Sequence, residues 1–133
     1  MNEQIKYYEN KLKYEIDSWD LSESFKTSDE IIVIDTRAQK AYEYERIPNS
    51  INIPHKTMNN STTKDLAKDR LYVTYCDGIG CNASTKGALN MATLGFRVKE
   101  LLGGLDWWIR DGYETHGINA KKAKSDISAD VKI

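Results

Sequence analysis

Two cysteines in one short stretch, Cys76-Asp77-Gly78-Ile79-Gly80-Cys81-Asn82-Ala83-Ser84, are the residues best suited to nucleophilic chemistry in this chain. The run before them, Leu71 to Tyr75, holds the β-branched and aromatic residues of a buried strand. The run after them, Ala83 to Leu94, carries Ala88, Leu89, Met91 and Ala92 at helical spacing. A strand, a glycine-bearing loop and a helix start are the parts of an anion cradle. Backbone N–H groups converge on the loop, and the helix dipole adds positive potential. Cys76, at the mouth of such a cradle, is expected to be an exposed nucleophile standing largely as thiolate. The bland alternative is a buried thiol that fills space at a strand end. Cys81 has two readings that the sequence leaves open. It is either a resolving thiol that attacks a persulfide or disulfide on Cys76, or a space-filler beneath the loop.

The rest of the chain supplies the frame. Asn2 to Tyr14 reads as an amphipathic helix with Ile5, Tyr8 and Leu12 on one stripe. Ile16 ends a short edge strand, and Asp17 or Ser18 caps a helix carrying Leu21 and Phe25. Ile31 to Asp35 is a strand covered on both faces, and Gln39 to Tyr44 a short helix stopped before Pro48. Ser50 to Ile53 is a short strand, and Lys56 to Arg70 a surface loop. Gly95 ends the helix after Cys76. Val98 to Leu102 is another strand and Leu105 to Asp111 another helix, bearing Trp107 and Trp108. One of these tryptophans is expected in the core and the other on the pocket wall. Alternating strands and helices predict an α/β fold, a parallel sheet of about five strands with helices on both faces. Ligands of such sheets sit outside the carboxyl ends of the strands, so Asp35, His55 and Cys76 are expected on one rim.

Composition excludes several classes. The 133 residues suit a single domain, with residues 1–14 as an N-terminal helix and 117–133 as a C-terminal extension. The end of that extension alternates Ile127, Ala129, Val131 and Ile133, which reads as a frayed terminus or as an added edge strand or subunit contact. A hydrophobic share of 40% and a charged share of 29% are those of an ordinary soluble protein. The net charge of −1 gives no electrostatic reason to expect nucleic acid or an anionic membrane as partner. Met1 to Tyr14 is interrupted by Glu, Lys and Asn, unlike a signal peptide. Two cysteines make no disulfide framework, so a reducing, cytoplasmic location is the expectation.

Five segments add a resemblance. They are Ile31-Ile-Val-Ile-Asp-Thr-Arg37, Ile47-Pro-Asn-Ser-Ile-Asn-Ile-Pro54, Tyr75-Cys76 with its glycine loop, Leu94-Gly-Phe96, and Leu101-Leu-Gly-Gly104 followed by Trp107-Trp108. In order and rough spacing, over about Tyr14 to Tyr113, the chain resembles a single rhodanese-like (sulfurtransferase) domain. The resemblance implies a three-layer α/β fold and a cysteine, here Cys76, that carries sulfane sulfur as a persulfide. It also implies Asp35 and Arg37 as a structural ion pair beside the loop, and Arg46, where the family often has His, as a cation near the rim. Two features depart from the family pattern: the loop is two residues longer, and it contains Cys81.

The expected reaction is therefore sulfur transfer of the thiosulfate/cyanide type, needing neither metal nor organic cofactor. Donor and acceptor are persulfide-competent small molecules or proteins, and the chain acts as monomer or homodimer. Asp77, with Lys86 the nearest positive charge, is expected to disfavour a dianionic donor. Asn82 stands where phosphatase chemistry on this scaffold needs Arg, which argues against phosphate as substrate. His55 is either an ordinary loop residue or a proton-transfer or binding group. Two other classes compete with the enzyme: a non-catalytic rhodanese-like binding module, and a thiol redox protein using Cys76 and Cys81.

Overall fold

The strands are built where short runs of β-branched and aromatic residues recur, and each is followed by polar, glycine- or proline-bearing sequence that turns the chain. In the computed structural model, residues 1–27 and 30–124 are described. Helix α1 spans Asn2–Tyr14, strand β1 Glu15–Ile16 and helix α2 Ser18–Thr27. Strand β2 (Ile31–Asp35), helix α3 (Gln39–Tyr44) and strand β3 (Ile51–Asn52) follow, and then a 3-10 turn at His55–Thr57. Strand β4 is Leu71–Tyr75, helix α4 Ala83–Thr93, strand β5 Arg97–Leu101 and helix α5 Gly104–Arg110. The alternation from Ile127 to Ile133 lies outside the described residues.

The sheet has five strands in the order β1-β5-β4-β2-β3, every pair parallel. This is the expected α/β architecture, with β4 at the centre. Val33 pairs with Val73 and Asp35 with Tyr75, so the carboxyl ends of β2 and β4 finish level. Strand alternation sends Val33, Val73 and Tyr75 into one core with Leu21, Leu105 and Trp108. Ile34 and Tyr72 point into a second core with Met91 and Phe96. Helices α2 and α5 therefore cover one face of the sheet and α4 the other.

Local signals explain the helix ends. Asp17 accepts the Asp20 N–H at 2.8 Å, the N-cap bond expected at the start of α2. At the end of α4, Gly95 has φ +95°, with its N–H on the Ala92 carbonyl and that of Phe96 on the Met91 carbonyl. This is the pair of bonds of a Schellman stop.

Two expectations about faces need correction. The α1 stripe does not pack into a core: none of the helix's residues is buried, and Leu12 is 79% exposed. Tyr8 and Leu12 instead line a surface groove with Lys99 and Leu102. Helix α4 buries Ser84, Gly87 and Met91, while Leu89 faces outward. Gly87 permits that approach, since a Cβ there would stand 2.4 Å from Thr36 Cγ2.

Candidate active site

The expected rim forms at the carboxyl ends of β2, β3 and β4. A cleft of about 360 Å3 is lined there by Thr36, Arg37, Ala38, Ala41, Pro54, His55, Lys56, Cys76, Asp77, Cys81 and Ala83. Its floor is tied to the sheet. The Tyr75 carbonyl, immediately before Cys76, accepts from both the Thr36 N–H at 3.1 Å and the Thr36 hydroxyl at 2.8 Å.

Cys76 departs from expectation. It is 1% exposed and bonded to Cys81 in a disulfide with a Cα–Cα distance of 6.3 Å. The packing half of the bland reading thus holds for its burial, yet its side chain borders the cleft. Burial follows from the loop's anchoring on α5. The Cys76 carbonyl accepts the Leu105 N–H at 2.9 Å, and the Asp77 carbonyl accepts the Asp106 N–H at 2.8 Å. Gly104 makes this approach feasible, for a Cβ there would lie 2.5 Å from the Cys76 carbonyl oxygen and 3.0 Å from the Gly78 nitrogen.

The distal half of the loop is built differently. The Cys81 N–H closes a turn on the Gly78 carbonyl at 3.2 Å, so this donor of the expected N–H cradle is turned inward. Gly78, Ile79, Gly80, Asn82 and Ser84 line a separate cavity of about 380 Å3 on the β1–β5 side, and Cys81 borders both cavities. Ser84, expected in the active-site loop, instead donates its hydroxyl to Glu100 Oε2 at 2.7 Å, away from the Cys76 cleft. Thr85 bonds the same oxygen at 2.6 Å.

The electrostatic centre of the rim is Arg37. Its guanidinium is buried and held by Asp35 through Nε at 3.0 Å and Nη2 at 2.7 Å. Nη1 reaches Asp77 at 2.9 Å, and Nη2 also donates to the Glu45 carbonyl at 2.6 Å. Burial opposes the charge, but Asp35 and Asp77 outweigh it and hold the guanidinium's pKa above its ordinary value. Asp35 also accepts the Tyr75 hydroxyl at 2.7 Å. Burial, followed by the charge of Asp35, pushes the Tyr75 phenol pKa upward. Asp35 and Arg37 thus form a buried ion pair, and Asp77, expected to be uncompensated, is neutralised in part by Arg37.

His55 borders the cleft, and its pKa is lowered first by desolvation, then by the charges of Lys86 and Lys56. Both effects favour the neutral imidazole. Lys86 acts on the rim through this field. Arg46 does not supply the expected rim cation. Its guanidinium lies 4.7 Å from the Tyr42 ring centroid and bonds the Tyr42 carbonyl, while its backbone bridges to His116. Trp108 is in the core as expected, but Trp107 stands exposed beside Arg110 and lines no part of the cleft. Among the described residues, no three His, Cys, Asp or Glu side chains converge to hold a metal ion.

Residues 19–111 match the family model described as Rhodanese-like domain. The chain belongs to that family. Among solved structures, the BH2092 protein of Bacillus halodurans is 44% identical to this rhodanese-like chain. That match covers 92% of this chain and 90% of the other, with a TM-score of 0.86. A rhodanese-related protein of Thermoplasma volcanium is 29% identical over 77% of this chain and 97% of its own, with a TM-score of 0.67. None of the curated proteins compared matches the chain.

Sequence reasoning missed two parts of this rhodanese-like site. Lys56, adjacent to His55, opens the run that reads as surface loop with a turn of helix, and it borders the cleft. Its signal was its place right after a strand end, the position that drew attention to His55. Glu45, whose carbonyl holds Arg37, sits in the run Tyr42-Glu-Tyr-Glu-Arg46 and carries no local mark of its role.

Proposed function

We propose that the protein is a sulfurtransferase working by double displacement at Cys76. The observation that carries this reading is the position of Cys76. It directly follows the central strand of a rhodanese-like sheet and borders a cleft that also presents Arg37, His55 and Lys56. The reactive form is the reduced one. The Cys76 thiolate attacks the sulfane sulfur of a donor, an S–S bond forms to Cys76, and the donor leaves as a thiolate or sulfite. A nucleophilic acceptor, a thiol or cyanide, then attacks the outer sulfur and regenerates the thiolate. Both anionic states of Cys76 are favoured by the neighbouring cations and the start of α4. Donor and acceptor are small molecules or protein persulfides, and a cytoplasmic location suits the thiol chemistry.

The test is transfer from a small organic persulfide, and from thiosulfate, to cyanide by the reduced protein. Cys76→Ser should lose transfer entirely, with near-native circular dichroism. Retained transfer in Cys76→Ser, or its loss in Cys81→Ser alone, would contradict the assignment of the nucleophile. The Cys76–Cys81 bond favours a second reading, a dithiol–disulfide protein that carries no sulfur. In that case no protein species one sulfur atom heavier forms with either donor.

A further inference from the structure

We propose a second activity at this loop, resting on the persulfide reading above: Cys81 discharges the Cys76 persulfide as hydrosulfide. The protein is then a releaser of reduced sulfur as well as a carrier of sulfane sulfur. The two halves of the loop are built for unequal roles. Cys76 is fixed, buried at the end of β4 with its carbonyl bonded to α5. Cys81 lies beyond Ile79, which is 79% exposed, and Gly80, around which a Cβ would meet nothing within 4 Å. The segment that presents Cys81 is therefore free of the packing that holds Cys76. Its backbone already brings the two Cα atoms to 6.3 Å, inside the roughly 4.4–6.8 Å range of a direct disulfide.

The step balances without an added oxidant. Cys81 passes its thiol proton to the outer sulfur of the anionic persulfide, and its thiolate attacks Sγ of Cys76, the inner sulfur. The Cys76–Cys81 S–S bond forms, the bond from Cys76 to the outer sulfur breaks, and that sulfur leaves with the electron pair as hydrosulfide. The sulfane sulfur is reduced by two electrons and the two cysteine thiols are oxidised by two. A dithiol reductant then restores the pair by thiol–disulfide exchange. Attack on the outer sulfur would instead move the persulfide to Cys81. The spacing favours the inner atom, because the loop closes to the direct Cys76–Cys81 bond that this attack produces. Cys81 borders the cavities on both sides of the loop, so hydrosulfide formed in the cleft need not leave by the donor's route.

The experiment is a single turnover. Reduced, desalted protein receives one equivalent of a small organic persulfide with no acceptor present. Released hydrosulfide, intact mass and the cysteine bearing the added sulfur are then followed in time. Wild type should release hydrosulfide and end two hydrogen atoms lighter than the reduced protein. Cys81→Ser should release none, remain one sulfur atom heavier at Cys76, and surrender that sulfur when cyanide is added. Cys81→Ala, which adds no hydroxyl beside the loop, should behave the same way. Wild type that holds its added sulfur as long as Cys81→Ser does would overturn the inference while leaving sulfur transfer intact, as would sulfur mapped to Cys81. Failure of Cys81→Ser and Cys81→Ala to take up sulfur at all would overturn the persulfide reading, and this inference with it.

Discussion

Arg37 joins the interior to the rim in one side chain. Its guanidinium is shared between a fully buried carboxylate, Asp35, and one whose side chain is 70% exposed, Asp77. The two contacts differ in energetic weight. Removing the guanidinium leaves Asp35 buried with the Tyr75 hydroxyl and the Arg37 backbone N–H as its remaining bonds. Arg37→Met should therefore cost about 3–5 kcal/mol, the range for breaking a buried ion pair from one side. Urea unfolding of reduced protein measures it, and a loss below about 1 kcal/mol would show that water reaches Asp35. Asp77→Asn, at the exposed end, should change stability by no more than about 1 kcal/mol. Its effect should fall on donor choice, because it removes a negative charge from the cleft and releases Nη1 of Arg37 toward an incoming anion. The KM for thiosulfate should drop, more at low ionic strength, with little change in kcat. An unchanged KM at low salt would mean that Arg37 already cancels Asp77.

At the scale of elements, the rim forms because three connections leave the same edge of a parallel sheet, and one of them is pinned by α5. Strand β4, the loop and α4 were legible in sequence because each has a local signal: apolar β-branched residues, glycines, and a helical period closed by Gly95. The pinning by α5 had no such signal. Gly103 and Gly104 read as a turn, yet Gly104, at φ +59°, sits against the Cys76 carbonyl. That contact joins residues far apart in sequence, which a local pattern does not encode. Gly104→Ala should cost about 1–2 kcal/mol for the left-handed backbone alone, and more from the displaced loop. Transfer activity should fall further than stability, since the displaced atoms carry Cys76. If Gly104→Ala melts lower but keeps wild-type kcat/KM, α5 supports the fold without setting the nucleophile. Exposure of the α1 stripe was likewise hidden, because helical periodicity shows that a face is apolar but not that another element covers it.

For the molecule as a whole, the segment after α5 is tied back to the site through Glu45. Its carboxylate is buried and accepts from the Thr115 hydroxyl at 2.7 Å, Asn119 at 3.2 Å and Lys121 Nζ at 2.6 Å. Its carbonyl, on the other side, holds Arg37. These partners lie 70 or more residues along the chain, so neither Glu45 nor the order of residues 115–121 could be read from local sequence. Burial raises the Glu45 pKa, but the bonds from Lys121, Thr115 and Asn119 outweigh it and leave the pKa below its ordinary value. A carboxyl whose folded pKa is depressed takes up its proton more readily in the unfolded chain. Its contribution to stability is therefore complete above the ordinary glutamate value, about 4.3, and declines as pH falls through the lower folded value. Glu45→Gln should cost about 1–3 kcal/mol at pH 7, mainly from hydrogen bonds to a charged acceptor; the contact with Lys121, itself 42% exposed, should contribute little. The two stability curves should converge as pH drops below the ordinary glutamate value, because protonation removes from wild type what the substitution has already removed. Urea midpoints between pH 7 and pH 3 test this, and curves that stay parallel across that range would place the acid sensitivity at another carboxylate. The carbonyl that holds Arg37 belongs to the main chain and is kept in Glu45→Gln, so sulfur transfer by this variant should stay near wild type at pH 7 while its stability falls.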